Sequence, residues 1–317
     1  MTQFNENYLD RELINKDADR KVISNPEDSQ WGQLILPGRN ENSDKTNEGL
    51  RLLIIASYRT GGLLVKALTL FEKLFPDKLN IVGLITDDPA STDARISVKK
   101  RIWRLFDNEQ RLDMEDDIIE HSLQAGVPVY TGAVKTEYAY KLLKQWDPEA
   151  IQVFVFGQII DSPFITYPDL GIYNFHPADL VHHHGAGPRP YVDLLERDAK
   201  TSRFTIHQLS EELDSGHIIG QSPVINVRNK DGSITDNLLI IEDKMTEPVD
   251  FMAIILTNEL IKKKQSKQAG KIETLNFVNY FTKEHKEFLK QPITETNSRE
   301  SMPEISGFAL ELLSKIK

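Results

Sequence analysis

The chain has 317 residues, 27% charged and 39% hydrophobic, with a formal net charge of −10, proportions of an ordinary globular protein. The acidic balance excludes a broad phosphate-binding surface, which needs clustered Lys and Arg, and the lack of cysteine excludes disulfides, a thiolate nucleophile and Cys-ligated zinc. No apolar run approaches the roughly 20 residues of a membrane span, and residues 1–28 lack a signal peptide's basic start and apolar core, so the sequence predicts a cytoplasmic protein with neither membrane nor nucleic acid as partner.

Residues 1–48 are rich in Asn, Asp, Glu, Lys and Arg, and only Trp31 to Pro37 is markedly apolar. This polar N-terminal arm reads either as a flexible tail or as a segment docking through Trp31, Leu34 and Leu36. At Leu50 to Ala56 the pattern changes to an apolar run of strand length. Ser57-Tyr58-Arg59-Thr60-Gly61-Gly62 follows as a turn, and Leu63, Leu64, Ala67, Leu68, Phe71 and Leu74 mark a helix ending before Pro76. Ile81 to Ile85 is a second buried strand, stopped by Asp87-Asp88-Pro89. Residues 95–125 carry helical spacing, first in Ile102, Leu105 and Phe106, then in Ile118, Ile119 and Leu123. A short strand at Val127 to Tyr130, a helix from Glu137 to Gln145, and strands at Ala150 to Phe156 and Gly171 to Phe175 complete the alternation. Such alternation predicts an α/β fold: a Rossmann-like, mostly parallel twisted sheet with helices on both faces.

Further on, 190–197 reads as a helix, and Ser202 to Leu209 and His217 to Val227 as strands that pair antiparallel at one edge. Residues 245–265 read as one amphipathic helix, and 270–317 are mixed, with Phe277, Tyr280, Phe281 and Phe288. The chain thus divides into the arm (1–48), an α/β domain holding the candidate site (49–230) and a mainly helical C-terminal extension (231–317).

Asn174 and His176 stand at i and i+2, on one face of an extended segment that Pro177 ends. In open parallel sheets, ligands sit beyond the carboxyl ends of the strands. The Gly- and Pro-rich loop from Pro177 to Pro190 can wall a pocket there. Asp214, in Leu213-Asp214-Ser215-Gly216, follows far enough on for a helix and a strand to return its carboxylate to the imidazole. An amide, an imidazole and a carboxylate together can hold an oxyanion and manage a proton, as acyl transfer requires. Taken alone, Asn174 also reads as a turn cap and His176 as a satisfied, partly buried histidine.

Matching segments supply context. Asn174-Phe175-His176-Pro177, the loop Gly185 to Pro188, Leu213-Asp214-Ser215-Gly216-His217-Ile218-Ile219, Phe156-Gly157-Gln158-Ile159-Ile160, Ala125 to Tyr130 and Trp146 to Glu149 occur in one order. Over about residues 50–227 this order resembles the folate-dependent formyltransferase family, which includes glycinamide ribonucleotide, methionyl-tRNA and sugar N-formyltransferases. The resemblance implies transfer of a formyl group from 10-formyltetrahydrofolate to an amine without a covalent enzyme intermediate. It implies that Asn174 donates to the formyl oxygen, that His176 stabilises the same oxygen as imidazolium, and that Asp214 orients His176 and raises its pKa. It implies a folate site of Phe156, Gly157, Gln158, Ile159 and Ile160 with Glu211, Glu212 and Leu213. Backbone groups there would meet the pterin, and Ile159 and Ile160 would form an apolar wall.

The chain also departs from the family pattern. Where the ribonucleotide enzyme holds phosphate on a Gly-Ser-rich loop, this chain has Ser57 to Gly62, either a plain strand–helix turn or an anion site using Tyr58 and Arg59. After His176-Pro177 stand Ala178-Asp179-Leu180-Val181 and then His182, His183 and His184. Consecutive residues seldom aim at one ion, so no metal is expected; the histidines either line the acceptor pocket, together with Arg189, or face water. The C-terminal region lacks a basic barrel, which disfavours tRNA and points to a small-molecule amine, for example an amino sugar nucleotide or a biosynthetic intermediate. The end segments are assigned to specificity or homodimer contacts. Competing readings are a formyltetrahydrofolate deformylase, for which Gly187 to Tyr191 is suggestive, and a non-catalytic folate binder.

Overall fold

The structure, a computed structural model, describes residues 19–26, 32–42, 45, 46, 48–87, 108–187, 189–212, 214–268, 270–294 and 302–316. Trp31, Pro188, Leu213 and the expected helical stretch over 95–107 lie outside them.

Five strands form the parallel centre: β3 (Leu50–Ala56), β4 (Leu79–Thr86), β5 (Val129–Gly132), β6 (Ala150–Phe154) and β7 (Ile172–His176). Their spatial order is β5-β4-β3-β6-β7, every pair parallel. The order reverses between β3 and β6, and in such Rossmann-like sheets the crevice beyond the carboxyl ends at that switch point receives ligands. The crossovers carry α1 (Tyr58–Leu74), α2 (Asn108–Gln124), α3 (Glu137–Trp146) and α4 (Ser162–Thr166). Alternation along β3 divides the core. Leu52, Ile54 and Ala56 join Leu64, Leu68 and Phe71 of α1 on one face. Leu53 and Ile55 join Ala139, Leu142, Leu143 and Trp146 of α3 on the other.

Both edges of this parallel centre are extended by antiparallel strands. On one side β2 (Gly32–Leu36) pairs with β5, and β1 (Lys21–Ser24) pairs with β2. Of the two readings of the N-terminal arm, this is the docked one: Leu34 and Ile35 are buried against the sheet. On the other side β9 (Thr205–Gln208) pairs with β7, and β10 (Ile218–Gln221) with β9. The helix α5 (Pro190–Glu196) precedes this pair, and β8 (Thr201–Ser202) with β11 (Ile225–Asn226) forms a small separate ribbon.

Three expected boundaries shift. Strand β6 stops at Phe154 because Val155 turns to φ 49°, a left-handed conformation that costs a β-branched residue about 1–2 kcal/mol. Helix α1 begins at Tyr58, so the expected turn residues Thr60 to Gly62 are already helical. The single helix expected over 245–265 is two, α6 (Leu238–Thr246) and α7 (Val249–Gln265), separated at Glu247-Pro248, where the proline has no N–H for a continuing helix. Helix α7 is buried over most of its first three turns and ties to the sheet where Gln152 Nε2 donates to Thr257 Oγ1 at 2.8 Å. Two short helices, α8 (Lys283–Leu289) and α9 (Gly307–Lys315), complete a helical C-terminal region.

Candidate active site

The antiparallel register of β7 and β9 builds the centre. It sets Asn174 opposite His207 and His176 opposite Thr205. Asn174 Nδ2 lies 3.0 Å from His207 Nε2, and His207 Nδ1 lies 2.9 Å from the Gln208 carbonyl. The carbonyl must accept, so the proton is assigned to Nδ1, and Nε2 accepts from the Asn174 amide. Asp214 arrives on the turn after β9. Its Oδ1 stands 3.8 Å from His176 Nδ1 and 3.5 Å from His207 Nε2, and its Oδ2 accepts the Gly187 N–H at 2.7 Å. Asp214 has φ 51°. Two residues later, a Cβ on Gly216 would come within 1.7 Å of the Gln208 carbonyl oxygen, so this close approach of the turn to β9 requires glycine.

The three residues predicted from sequence therefore converge, with His207 as a fourth member the sequence reading missed. The available signal was a histidine in the predicted edge strand Ser202 to Leu209, seven positions ahead of Asp214.

Electrostatics corrects one expectation. Asp214 pulls the His176 pKa up, as expected, and so does the Gly185 carbonyl, but burial dominates and the net shift is downward, against the expected imidazolium. His176 Nε2 donates to the Gly185 carbonyl at 2.7 Å. Burial alone would raise Asp214, but contacts with His207, the His176 ring and the Gly187 N–H outweigh it and bring the carboxyl down to about 2.

The second predicted cluster, after β6, is rigid. Gln158 spends its whole amide on the frame: Nε2 donates to Gly132 O at 2.7 Å and Asp87 Oδ1 at 3.0 Å, while Oε1 accepts from Val134 N at 3.0 Å. Ile160 is buried, whereas Ile159 is 65% exposed. Glu211 and Glu212 are exposed, and Ser210 Oγ and Ser215 Oγ both donate to the Glu212 carbonyl.

The expected acceptor residues divide. Tyr58 and Arg59 do not open to a substrate: both are fully buried. Arg59 Nη2 meets Glu242 Oε2 at 2.8 Å and Asp243 Oδ1 at 2.6 Å, and Tyr58 Oη meets Glu242 Oε2 at 3.0 Å. Their charge is consumed by α6. His182 is exposed with Nδ1 2.8 Å from Asp179 Oδ2, its ring stacks on that of His184, and His183 is exposed. Among the described residues no three His, Cys, Asp or Glu side chains converge as metal ligands. Arg189 is exposed at the start of α5.

Residues 76–245, more than half of the chain, match the family model described as formyl transferase. The chain belongs to that family. A methionyl-tRNA formyltransferase from Rickettsia bellii is 36% identical over 157 residues, covering 49% of this chain and 45% of that protein. One from Syntrophomonas wolfei is 38% identical over 96 residues, covering 30% of this chain and 29% of that protein. The chain thus spans less than half the length of either relative. Among solved structures, a phosphoribosylglycinamide formyltransferase from Anaplasma phagocytophilum is 18% identical with TM-score 0.49, covering 72% of this chain and 99% of that one. A formyltetrahydrofolate deformylase from Pseudomonas syringae is 19% identical with TM-score 0.47, covering 68% and 63%. No described helix is long and apolar enough to cross a membrane.

Proposed function

We propose that the chain transfers a formyl group from 10-formyltetrahydrofolate to a primary amine. The observation that carries this reading is the convergence of Asn174, His176, His207 and Asp214 at the carboxyl end of β7, the strand beside β6. The donor fits the neighbouring turn: Ile159 offers an exposed apolar surface, and the backbone of Phe156 to Ile160 and of Glu211 and Glu212 offers donors and acceptors for a planar ring.

10-Formyltetrahydrofolate supplies the formyl carbon, and its N10 is the nitrogen that leaves. Asn174 gives one amide N–H to His207 and keeps the other for the formyl oxygen, which gains negative charge as the amine adds. His207 fixes the direction of that amide through its lone pair. His176, held neutral by burial, acts as a hydrogen-bond donor once the formyl oxygen replaces the Gly185 carbonyl at Nε2. Asp214, ionised at neutral pH, takes through a water the proton released by the amine, and the same water returns it to N10 as the bond from N10 to the formyl carbon breaks.

A small-molecule acceptor is supported by the net charge of −10. It is also supported by the fate of the lysine run on α7, where Lys262 pairs with Glu259 and Lys264 with Glu149. The names of the curated relatives favour a second acceptor, an aminoacyl-tRNA amine, over an amino sugar. The test is incubation with 10-formyltetrahydrofolate alone, with small amines, and with methionyl-tRNA, measuring N-formyl product and free formate. Amine-dependent product that disappears in Asn174→Ala and Asp214→Ala supports the reading. Formate released equally fast without amine would assign hydrolysis instead.

A further inference from the structure

We infer that Asp87 is a positioning residue that locks the turn Phe156 to Ile160, and with it the donor-binding surface, across the switch point of the sheet. The inference rests on the formyl-transfer reading for the identity of the ligand, but the lock itself is visible in the geometry. Asp87 follows β4 directly and is fully buried. Its Oδ2 accepts the Gly157 N–H at 2.6 Å and the Ser57 hydroxyl at 3.0 Å, and its Oδ1 accepts from Gln158 Nε2 at 3.0 Å. Ser57 Oγ also lies 2.6 Å from the Val155 carbonyl. One carboxylate therefore joins the turns that follow β3, β4 and β6, and Gln158 carries the connection on to β5 through Gly132 and Val134.

Such a lock has something to hold. Val155 is left-handed at φ 49°, a conformation that persists only where its surroundings over-determine it. Two residues beyond Gly157 stands Ile159, an exposed large apolar side chain on a turn held through Gly157 and Gln158. On the formyl-transfer reading Ile159 is the apolar wall that the donor's planar ring meets. A buried carboxylate accepting a backbone N–H from the turn fixes where that wall stands. Charge-assisted bonds of this kind are about twice as strong as neutral ones. The bonds of Asp87 go to the turns after β3 and β6, so its effect is expected on the placement of the donor and not on the chemistry.

The experiment compares wild type, Asp87→Ala, Asp87→Asn and Gln158→Ala. Three readouts are used: KM for 10-formyltetrahydrofolate, kcat at saturating donor, and hydrogen exchange of the Gly157 amide. Loss of charge-assisted bonds predicts that Asp87→Ala raises KM about tenfold or more, with kcat within about twofold of wild type. Exchange at Gly157 accelerates while the strands β3 and β7 keep their protection. Asparagine can still accept from both Gly157 and Ser57 through its one oxygen, but its amide nitrogen then faces Gln158 donor to donor, so Asp87→Asn and Gln158→Ala fall between wild type and alanine. If Asp87→Ala does not fold, these two milder variants decide the matter by the same split. Unchanged KM with accelerated exchange, a fall in kcat equal to the rise in KM, or unchanged exchange at Gly157 overturns the inference. Failure of the formyl-transfer reading is distinguishable: wild type then shows no turnover of the donor, while exchange at Gly157 still reports whether Asp87 holds the turn.

Discussion

Replacing Asp214 by Asn removes a charge and little else. The amide keeps an oxygen for the Gly187 N–H, now 2.7 Å from Oδ2, but offers His176 and His207 no negative charge. The carboxyl is brought from 3.8 to about 2, which at ~1.36 kcal/mol per unit corresponds to about 2 kcal/mol favouring the ionised form. Because the folded value lies below the unfolded one, this stability is present above pH 3.8 and is lost as pH falls toward 2. Asp214→Asn is therefore expected to be about 1–2 kcal/mol less stable than wild type at pH 7, with the difference vanishing over that acid window in urea titrations. Activity should fall about 100-fold or more, the range for a lost proton acceptor. The variant also carries a signature at His176. Asp214 is the largest influence raising that imidazole against burial, so the acid limb of residual kcat/KM should move to lower pH. Wild-type turnover, or an acid limb moved to higher pH, would refute the account.

Three further outcomes follow from the same structure. Gly216→Ala should cost about 1–3 kcal/mol and at least tenfold in turnover (about the effect of a misplaced carboxylate), because its Cβ would sit on the Gln208 carbonyl; thermal melts and kinetics check both. Glu242→Ala should destabilise by about 3 kcal/mol, since it leaves the fully buried Arg59 with one carboxylate partner fewer, and an unchanged denaturation midpoint would show that the pair contributes nothing. His285 is buried among Phe251, Phe281 and Phe308 with both ring nitrogens unbonded, and burial brings it down to about 4. Its folded pKa lies below the unfolded 6.5, so wild-type stability should decline as pH falls from 6.5 to about 4. His285→Phe should flatten that decline and raise stability at pH 7 by about 1 kcal/mol, as read in urea titrations at the two pH values.

The parallel centre was legible because burial on both faces writes itself as unbroken apolar runs: β3, β4, β6 and β7 fall within about two residues of the runs Leu50 to Ala56, Ile81 to Ile85, Ala150 to Phe156 and Gly171 to Phe175. The edges were not legible in the same way. Lys21–Ser24 is a four-residue strand that is largely exposed, and what makes it a strand is its partner Gln33 to Leu36, itself held by β5. Pairing of that kind is a property of the sheet and leaves no period in the sequence. The break at Pro248 was written in the chain, but helical spacing on both sides concealed it.

The site shows the same division at the level of single residues. Asn174, His176 and Asp214 could be named because their spacing and neighbours form a recurring order. His207 and Asp87 could not, because each acquires its part from register: His207 by standing opposite Asn174 in β9, Asp87 by ending β4 beside the turns of β3 and β6. Arg59 illustrates the opposite error. A cation at the start of a helix after a parallel strand is where an anion would bind, and nothing local argues otherwise. Its partners, Glu242 and Asp243, lie far along the chain and arrive only when α6 packs over α1. Burial brings Glu242 up to about 7 even against the guanidinium, a costly carboxylate that occupies the Arg59 guanidinium from within the protein. The C-terminal extension thus occupies the cation of the first turn, and on the formyl-transfer reading the exposed Arg189 and the His182 to His184 loop are the remaining candidates for acceptor recognition.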